Sequence, residues 1–231
     1  MCIGVCTPNL VLIEKRNIDN FTVNILFVLE HFHPYIGGVE KLFFNLSREL
    51  VAKGHKVKVI TTRFHYSLPQ HEYIDGVEVV RFTSNRFLFS MFASYKVFKE
   101  SKGYDIFHTS SYNAAFPCYI ASLFRKKKAI ITFHEVWGGL WFKLPFLYAF
   151  SRVLFWIYEQ CIVRLPFYKF VAVSEFTNNR LKRYQNPQKI ITIYNGISYD
   201  NLPIYTENQN DSFTFTYFGR IGVSKGIDLI I

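Results

Sequence analysis

Apolar residues in this chain fall into short unbroken runs, separated by stretches in which they recur at helical spacing. The runs are residues 23–29 (Val-Asn-Ile-Leu-Phe-Val-Leu), 56–61, 76–82, 104–108, 129–133, 169–173 and 190–194. Such runs predict strands covered on both faces, as in a parallel sheet packed between helices. Between the first two, Val39, Leu42, Phe43, Leu46, Leu50 and Val51 repeat with helical period, and Lys41, Asn45, Arg48, Glu49 and Lys53 take the opposite face. Gly54 is placed to end that helix in a left-handed conformation. Further helices are predicted over 87–100, 114–124 and 174–183, the last with Ser174 as its N-cap and Thr177 at the third position. Residues 63–75, with Pro69, are expected to be irregular and to end in an Asp75-Gly76 turn. Strand and helix alternate throughout, so the predicted class is α/β: a Rossmann-like, doubly wound, mostly parallel sheet.

Residues 1–21 carry no basic residue ahead of their apolar part, which is unlike a signal peptide, and are expected to be a loose extension. The domain is expected over 22–198, followed by a polar linker at 199–212. A new strand begins at 213, and 213–231 predicts the opening strand and helix of a second Rossmann-like unit. The most apolar stretch, 137–166, holds Trp137, Trp141, Phe142, Phe146, Tyr148, Phe150, Phe155, Trp156 and Tyr158. A bilayer span is rejected here. A central Arg152 would cost about 2.5–3.5 kcal/mol on insertion, and strands 129–133 and 169–173 would end up on opposite sides of the membrane. Two readings stay open: a buried helical pair, or a helix lying on a membrane surface.

Of the 231 residues, half are hydrophobic, enough for a sizeable core. Twenty-seven basic against 17 acidic residues give a formal charge of +10, which favours an anionic partner. Nucleic acid is set aside because the cations are spread over many elements rather than clustered with aromatics. The run Arg125-Lys126-Lys127-Lys128 has two readings, a solvated helix C-terminus complementing the dipole and a contact with anionic lipid. Cys2, Cys6, Cys118 and Cys161 have no zinc spacing or paired framework and fit a reducing compartment.

Three places carry candidate chemistry. Gly37-Gly38 sits where the first strand hands over to the first helix; free N–H groups and the dipole favour an anion there, and a plain tight turn is the alternative. His134-Glu135 lies at the C-terminal end of its strand, the edge at which open α/β sheets bind ligands. Gly219-Arg220 and Lys225-Gly226 flank the last predicted loop. A nicotinamide dehydrogenase is disfavoured, since it would want Gly-x-Gly-x-x-Gly and an acidic residue after the second strand, where this chain has adjacent glycines and Thr61-Thr62-Arg63. His31-x-His33 lacks the further ligands a metal would need.

Five pieces in order, Pro34-Tyr35-Ile36-Gly37-Gly38-Val39-Glu40, Thr132-Phe133-His134-Glu135, Val171-Ala172-Val173-Ser174-Glu175, Asn195-Gly196-Ile197 and Gly219-Arg220 with Lys225-Gly226, make this chain resemble the retaining glycosyltransferases of family 4, built from two Rossmann-like domains in the GT-B arrangement. The resemblance runs from residue 23 to the last residue and implies the first half of a family member. It implies a nucleotide-diphospho-sugar donor bound between the domains, with Arg220 and Lys225 on the diphosphate and Gly37 and Gly38 offering amides and room across the same crevice. It also implies that His134 hydrogen-bonds the donor sugar, while His33, Glu135, Ser174, Glu175, Asn195 and Gly196 line the cleft or the acceptor side. The implied reaction passes a hexose-type sugar to a lipid-linked or glycan acceptor by front-face attack with retention, without cofactor, metal or nucleic acid. The expected location, from the cysteine usage, is the cytoplasm, and the charge with the aromatic stretch leaves peripheral contact with an anionic inner membrane face as an open reading. Two departures are visible: Tyr194 stands for the family's proline, and Ser198 for its aspartate. The family's paired glutamates, seven residues apart, would lie beyond Ile231, so this chain by itself is expected to be inactive. The rival expectation is a non-catalytic membrane-surface or partner-binding module derived from such an enzyme.

Overall fold

A computed structural model describes residues 22–83, 85–110, 112–145, 147–196 and 217. The chain divides at Gly196 and Ile197 into two units. Within the first, the strands are β1 (Asn24–Val28), β2 (Lys56–Thr62), β3 (His71–Ile74), β4 (Val77–Phe82), β5 (Ile106–Ser110), β6 (Lys128–Phe133), β7 (Lys169–Ala172) and β8 (Ile190–Thr192). They form one eight-stranded sheet in the order β3-β4-β2-β1-β5-β6-β7-β8. Every pairing is parallel except that of β3 with β4. The helices are α1 (Gly38–Ala52), α2 (Arg86–Glu100), α3 (Ala115–Arg125), α4 (Ala149–Arg164) and α5 (Glu175–Leu181). The mostly parallel α/β fold expected from the runs is the fold observed.

The chain first grows outward from β1 to β2 and β4, then returns through α2 to β5 on the other side of β1. Right-handed crossovers taken in opposite directions land on opposite faces. Accordingly α1 covers one face, where Phe43 packs with Phe27, Leu29, Val57, Val59 and Val79. The other helices cover the second face, where Phe89, Ala93, Cys118, Ile162, Val163 and Leu181 pack on Leu26, Val28, Ile60, Phe107, Ile131 and Phe170. The reversal of direction between β1 and β5 opens the crevice in which this class of sheet binds ligands.

Local signals behave as their chemistry requires. Gly54 ends α1 at φ +84°, with its amide on the carbonyl of Val51 at 2.9 Å. Ser174 Oγ accepts the amide of Thr177 at 3.1 Å, capping α5. Three expectations are corrected. Residues 71–74, expected to be irregular, form β3, joined to β4 by a two-residue hairpin in which Asp75 and Gly76 both have positive φ. As an antiparallel edge strand, β3 leaves His71 and Tyr73 exposed, so no apolar run marks it. On α1, Ser47 rather than Leu46 faces the sheet, its hydroxyl bonded to the carbonyl of Phe43 at 2.7 Å, and Leu46 is exposed. Residues 137–166 are not a buried helical pair: a 3-10 stretch, Gly138–Lys143, precedes the single helix α4. No helix among the described residues is long and apolar enough to cross a membrane.

Of the basic run, Arg125 stacks on Phe98 and bonds its carbonyl, Lys127 pairs with Asp105, and Lys128 lies over the ring of Tyr168. Lys58 is buried near the start of β2, 2.9 Å from Glu78 and 3.2 Å from Glu100. Burial works to raise both carboxyls, but Lys58, together with His71 at Glu78 and Lys96 at Glu100, outweighs it and holds both below the ordinary 4.5. Replacing Lys58 with Met is expected to lower unfolding free energy by about 2 kcal/mol in urea titrations at neutral pH, and to narrow that loss at low pH, where the two carboxyls are protonated in both states.

Candidate functional site

The loop leaving β1 is fastened from below. The Glu30 carbonyl accepts Thr61 Oγ1 at 3.0 Å and Thr62 Oγ1 at 2.5 Å, and its carboxylate accepts Asn113 Nδ2 at 2.7 Å from the segment after β5. The guanidinium of Arg81, fully buried on β4, donates to the carbonyl of His33 at 2.7 Å and is also paired with Glu72 of β3. Ring stacking completes the hold: His31 on Tyr35 at 4.1 Å, and His33 on Phe44 of α1 at 4.4 Å.

This loop delivers Gly37 and Gly38 to the start of α1. Gly37 is extended at φ −170°, which any residue can adopt. A Cβ on it would meet only the flexible carboxylate of Glu40, whose Cδ lies 2.9 Å away, and a Cβ on Gly38 would meet nothing within 4 Å. Neither strain nor internal packing therefore requires this pair to be glycine. What remains is the space itself, open beside a helix N-terminus.

His134 follows β6 at the same sheet edge. Its ring lies 6.5 Å from Phe43, which also touches His108 at 5.5 Å, so one residue of α1 contacts both histidines. The His134 carbonyl accepts Thr177 Oγ1 at 3.4 Å, tying it to the cap of α5. His108 Nε2 meets Thr132 Oγ1 at 2.8 Å. Burial lowers both imidazoles from 6.5 to about 4, His108 with a further contribution from His134. Both rings are neutral at physiological pH. His134 Nε2 is buried and without a hydrogen-bond partner. A buried orphan of this kind costs about 1–3 kcal/mol, which a ligand hydroxyl would offset.

The segment after His134 is gripped by opposite charges. Glu159 of α4, fully buried, accepts the amides of Trp137 at 2.7 Å and Gly138 at 2.6 Å and the hydroxyl of Tyr112 at 2.9 Å. Arg180 of α5 donates to the carbonyls of Val136 at 2.6 Å and Trp137 at 2.9 Å. Gly138 sits at φ +53°, and Tyr112 at φ +74°, a strained value for a tyrosine. Burial and Glu159 push the Tyr112 phenol up, so it remains a donor. Glu159, Arg180, Tyr112 and Arg81 were not legible as site residues from sequence. The available signal was a lone acid inside an apolar run, which must find donors if buried.

His134, Ser174 and Gly37-Gly38 thus gather at one sheet edge, linked through Phe43 and Thr177. Glu135, Glu175 and His33 are exposed around it, and Asn195 and Gly196 are exposed beyond β8. Arg220 and Lys225 lie outside the described residues. A cleft of about 280 Å³ beside the clamped loop is lined by Trp137, Gly139, Lys143, Arg180, Arg183 and Tyr184. His134 is not among its walls, so the site is assigned on the histidine and not on cavity size.

Because both histidines are held below their unfolded value, the folded state binds fewer protons than the unfolded one between pH 6.5 and about 4. Stability is expected to be full above pH 6.5 and to fall through that window, and His108→Gln should flatten the fall; urea midpoints across the range measure both. Glu159→Ala strands two backbone amides and a phenol, and a loss of about 3 kcal/mol is expected, with Glu159→Gln recovering part of it in the same titration.

A family model described as Glycosyltransferase Family 4 matches residues 36–201. The chain is 26% identical over 216 residues to the gpi3 subunit of phosphatidylinositol N-acetylglucosaminyltransferase from Schizosaccharomyces pombe, covering 88% of this chain and 46% of that protein. It is 24% identical over 225 residues to the GDP-mannose:cellobiosyl-diphosphopolyprenol alpha-mannosyltransferase of Komagataeibacter xylinus, covering 94% of this chain and 54% of that one. It spans about half the length of these relatives. Among solved structures, Anabaena HepE in complex with UDP-glucose shares the fold (TM-score 0.54, 16% identity, 75% of this chain and 44% of the other). So does sucrose-phosphate synthase from Thermosynechococcus elongatus (TM-score 0.54, 15% identity, 74% and 48%). The matched segment takes in the glycine pair, His108 and His134, the Glu159 clamp and every strand from β2 to β8, and on that match the chain belongs to Glycosyltransferase Family 4.

Proposed function

We propose that this chain supplies the acceptor-side half of an enzyme that moves a hexose-type sugar from a nucleotide-diphospho-sugar to a lipid-linked acceptor with retention of configuration, working at a membrane surface that faces the cytoplasm. The observation that carries the reading is the buried, orphan Nε2 of neutral, half-buried His134 at the same sheet edge as the open space at Gly38. A neutral imidazole there can hydrogen-bond a sugar hydroxyl and brings no positive charge to the site at physiological pH. The names of the relatives support the acceptor class, one being a subunit of a phosphatidylinositol N-acetylglucosaminyltransferase and the other a mannosyltransferase named for a cellobiosyl-diphosphopolyprenol.

In the proposed reaction the bond from the anomeric carbon to the diphosphate oxygen breaks while the acceptor oxygen bonds to that carbon on the same face. The acceptor proton passes to a phosphate oxygen of the departing nucleotide. Charge therefore builds on the diphosphate, and Arg220 and Lys225 are the groups proposed to stabilise it. The α1 amides at Gly38 would add a weaker share, tempered by Glu40, whose carboxylate folds back over Gly37.

Gly38→Ala provides the test. The fold leaves room for the methyl, so thermal stability is expected to hold or rise slightly, while transfer by an enzyme carrying both domains is expected to drop by about tenfold or more. Unchanged transfer would mean that nothing approaches this glycine. Arg220→Ala and Lys225→Ala are each expected to slow transfer by orders of magnitude, with NMR of the product sugar reporting its anomer. The 231-residue chain is expected to show no turnover with labelled nucleotide-sugars; absence of turnover in the two-domain protein as well would favour a non-catalytic module.

A further inference from the structure

Helix α4 is apolar on its outer face as well as its inner one. Inward it buries Glu159, Ile162 and Val163. Outward it shows Phe150, 73% exposed, with Val153, Leu154 and Ile157 at 42–48%, and Cys161 is also exposed. Positions 150, 153, 154, 157 and 161 share one stripe at 100° per residue, and 159 falls on the face opposite. Tyr148 and Phe142, ahead of the helix, are exposed as well. The preceding 3-10 stretch moves with the helix, because Arg152 donates to the carbonyls of Leu147 at 2.8 Å and Phe142 at 3.1 Å and the rings of Phe142 and Trp156 lie 5.8 Å apart.

Charge selects what covers this face. Between residues 137 and 168 the one acid is Glu159, and it points inward; the bases are Lys143, Arg152 and Arg164. Lys143, ahead of the helix, and Arg164, in its last turn, are both exposed, so positive charge stands near each end of the stripe and residues 137–168 present no exposed carboxylate. A second copy docked on the same stripe would bring these cations against their own kind. An anionic bilayer answers both features, with acyl chains for the stripe and headgroups for the cations. We propose that α4 with Phe142 and Tyr148 is a membrane-docking face that lies in the plane of an anionic bilayer. The proposal rests on the lipid-linked acceptor reading and adds to it a location: the same helix that meets the lipid holds, through Glu159 on its inner face, the segment following His134.

All three tryptophans of the chain, Trp137, Trp141 and Trp156, lie in the 3-10 stretch, α4 or the residue just before them, so tryptophan fluorescence, excited selectively over the tyrosines, reports on this element alone. The 231-residue chain is expected to co-sediment with phosphatidylcholine–phosphatidylglycerol vesicles, less so in high salt, and brominated lipid is expected to quench its tryptophans. The triple change Phe150→Ser, Leu154→Ser, Ile157→Ser is expected to cut partitioning by about tenfold or more, with circular dichroism confirming the fold. The control Phe92→Ser, Phe124→Ser, on the exposed aromatics of α2 and α3, is expected to retain it. Binding without quenching, equal loss in the control, or a concentration-dependent dimer abolished by the triple change with no vesicle binding would each overturn the proposal. Transfer to a water-soluble acceptor by the two-domain enzyme separates the claims: the triple change should leave it intact, and a two-domain enzyme that docks but transfers nothing would sink the functional reading alone.

Discussion

A carboxylate taken out of water has to find donors, and the donors Glu159 finds organise this molecule. Two belong to the backbone directly after His134, and the third is the phenol of a tyrosine held in a strained conformation. Backbone amides serve here because they do not swing away as a lysine would. Arg180 grips the carbonyls of Val136 and Trp137, so the two charges overlap at Trp137. The result is a peptide segment fixed on both of its polar sides, and with it the position of the histidine two and three residues upstream. The same commitment fixes which way α4 faces, so an apolar stripe is left outside.

The sheet provides the other half of the arrangement. Its reversal between β1 and β5 places the glycine loop and the β6 loop along one edge, and Phe43 spans the gap between them by touching both His108 and His134. Keeping those histidines uncharged costs stability in acid and supplies, at neutral pH, a polar group that is buried and unsatisfied. Such a group belongs in a binding site rather than in a packed core.

Most of the frame was legible from the pattern of residues because parallel strands are buried on both sides and announce themselves as apolar runs. The caps at Ser174 and Gly54 were legible for a similar reason, since each rests on chemistry local to a few residues. What escaped is what depends on distant partners. β3 is half exposed and paired on one side, so its residues alternate without an apolar run. Ser47 takes a core position because its hydroxyl satisfies itself on the preceding turn, which leaves Leu46 outside. Arg81 looks like any charged strand residue until the His33 carbonyl and Glu72 are brought to it from 48 and nine positions away. Residues 137–166 were ambiguous on composition alone; Glu159 turns inward and the apolar outer face of α4 is left exposed.

Arg81 also gives the outermost hairpin a purpose beyond closing the sheet. Through one guanidinium, an edge strand that touches no candidate ligand braces the turn ahead of the glycines. Shortening that ribbon, or loosening its two-residue bend, would blunt the binding corner from a distance while every residue in the corner stayed as it is.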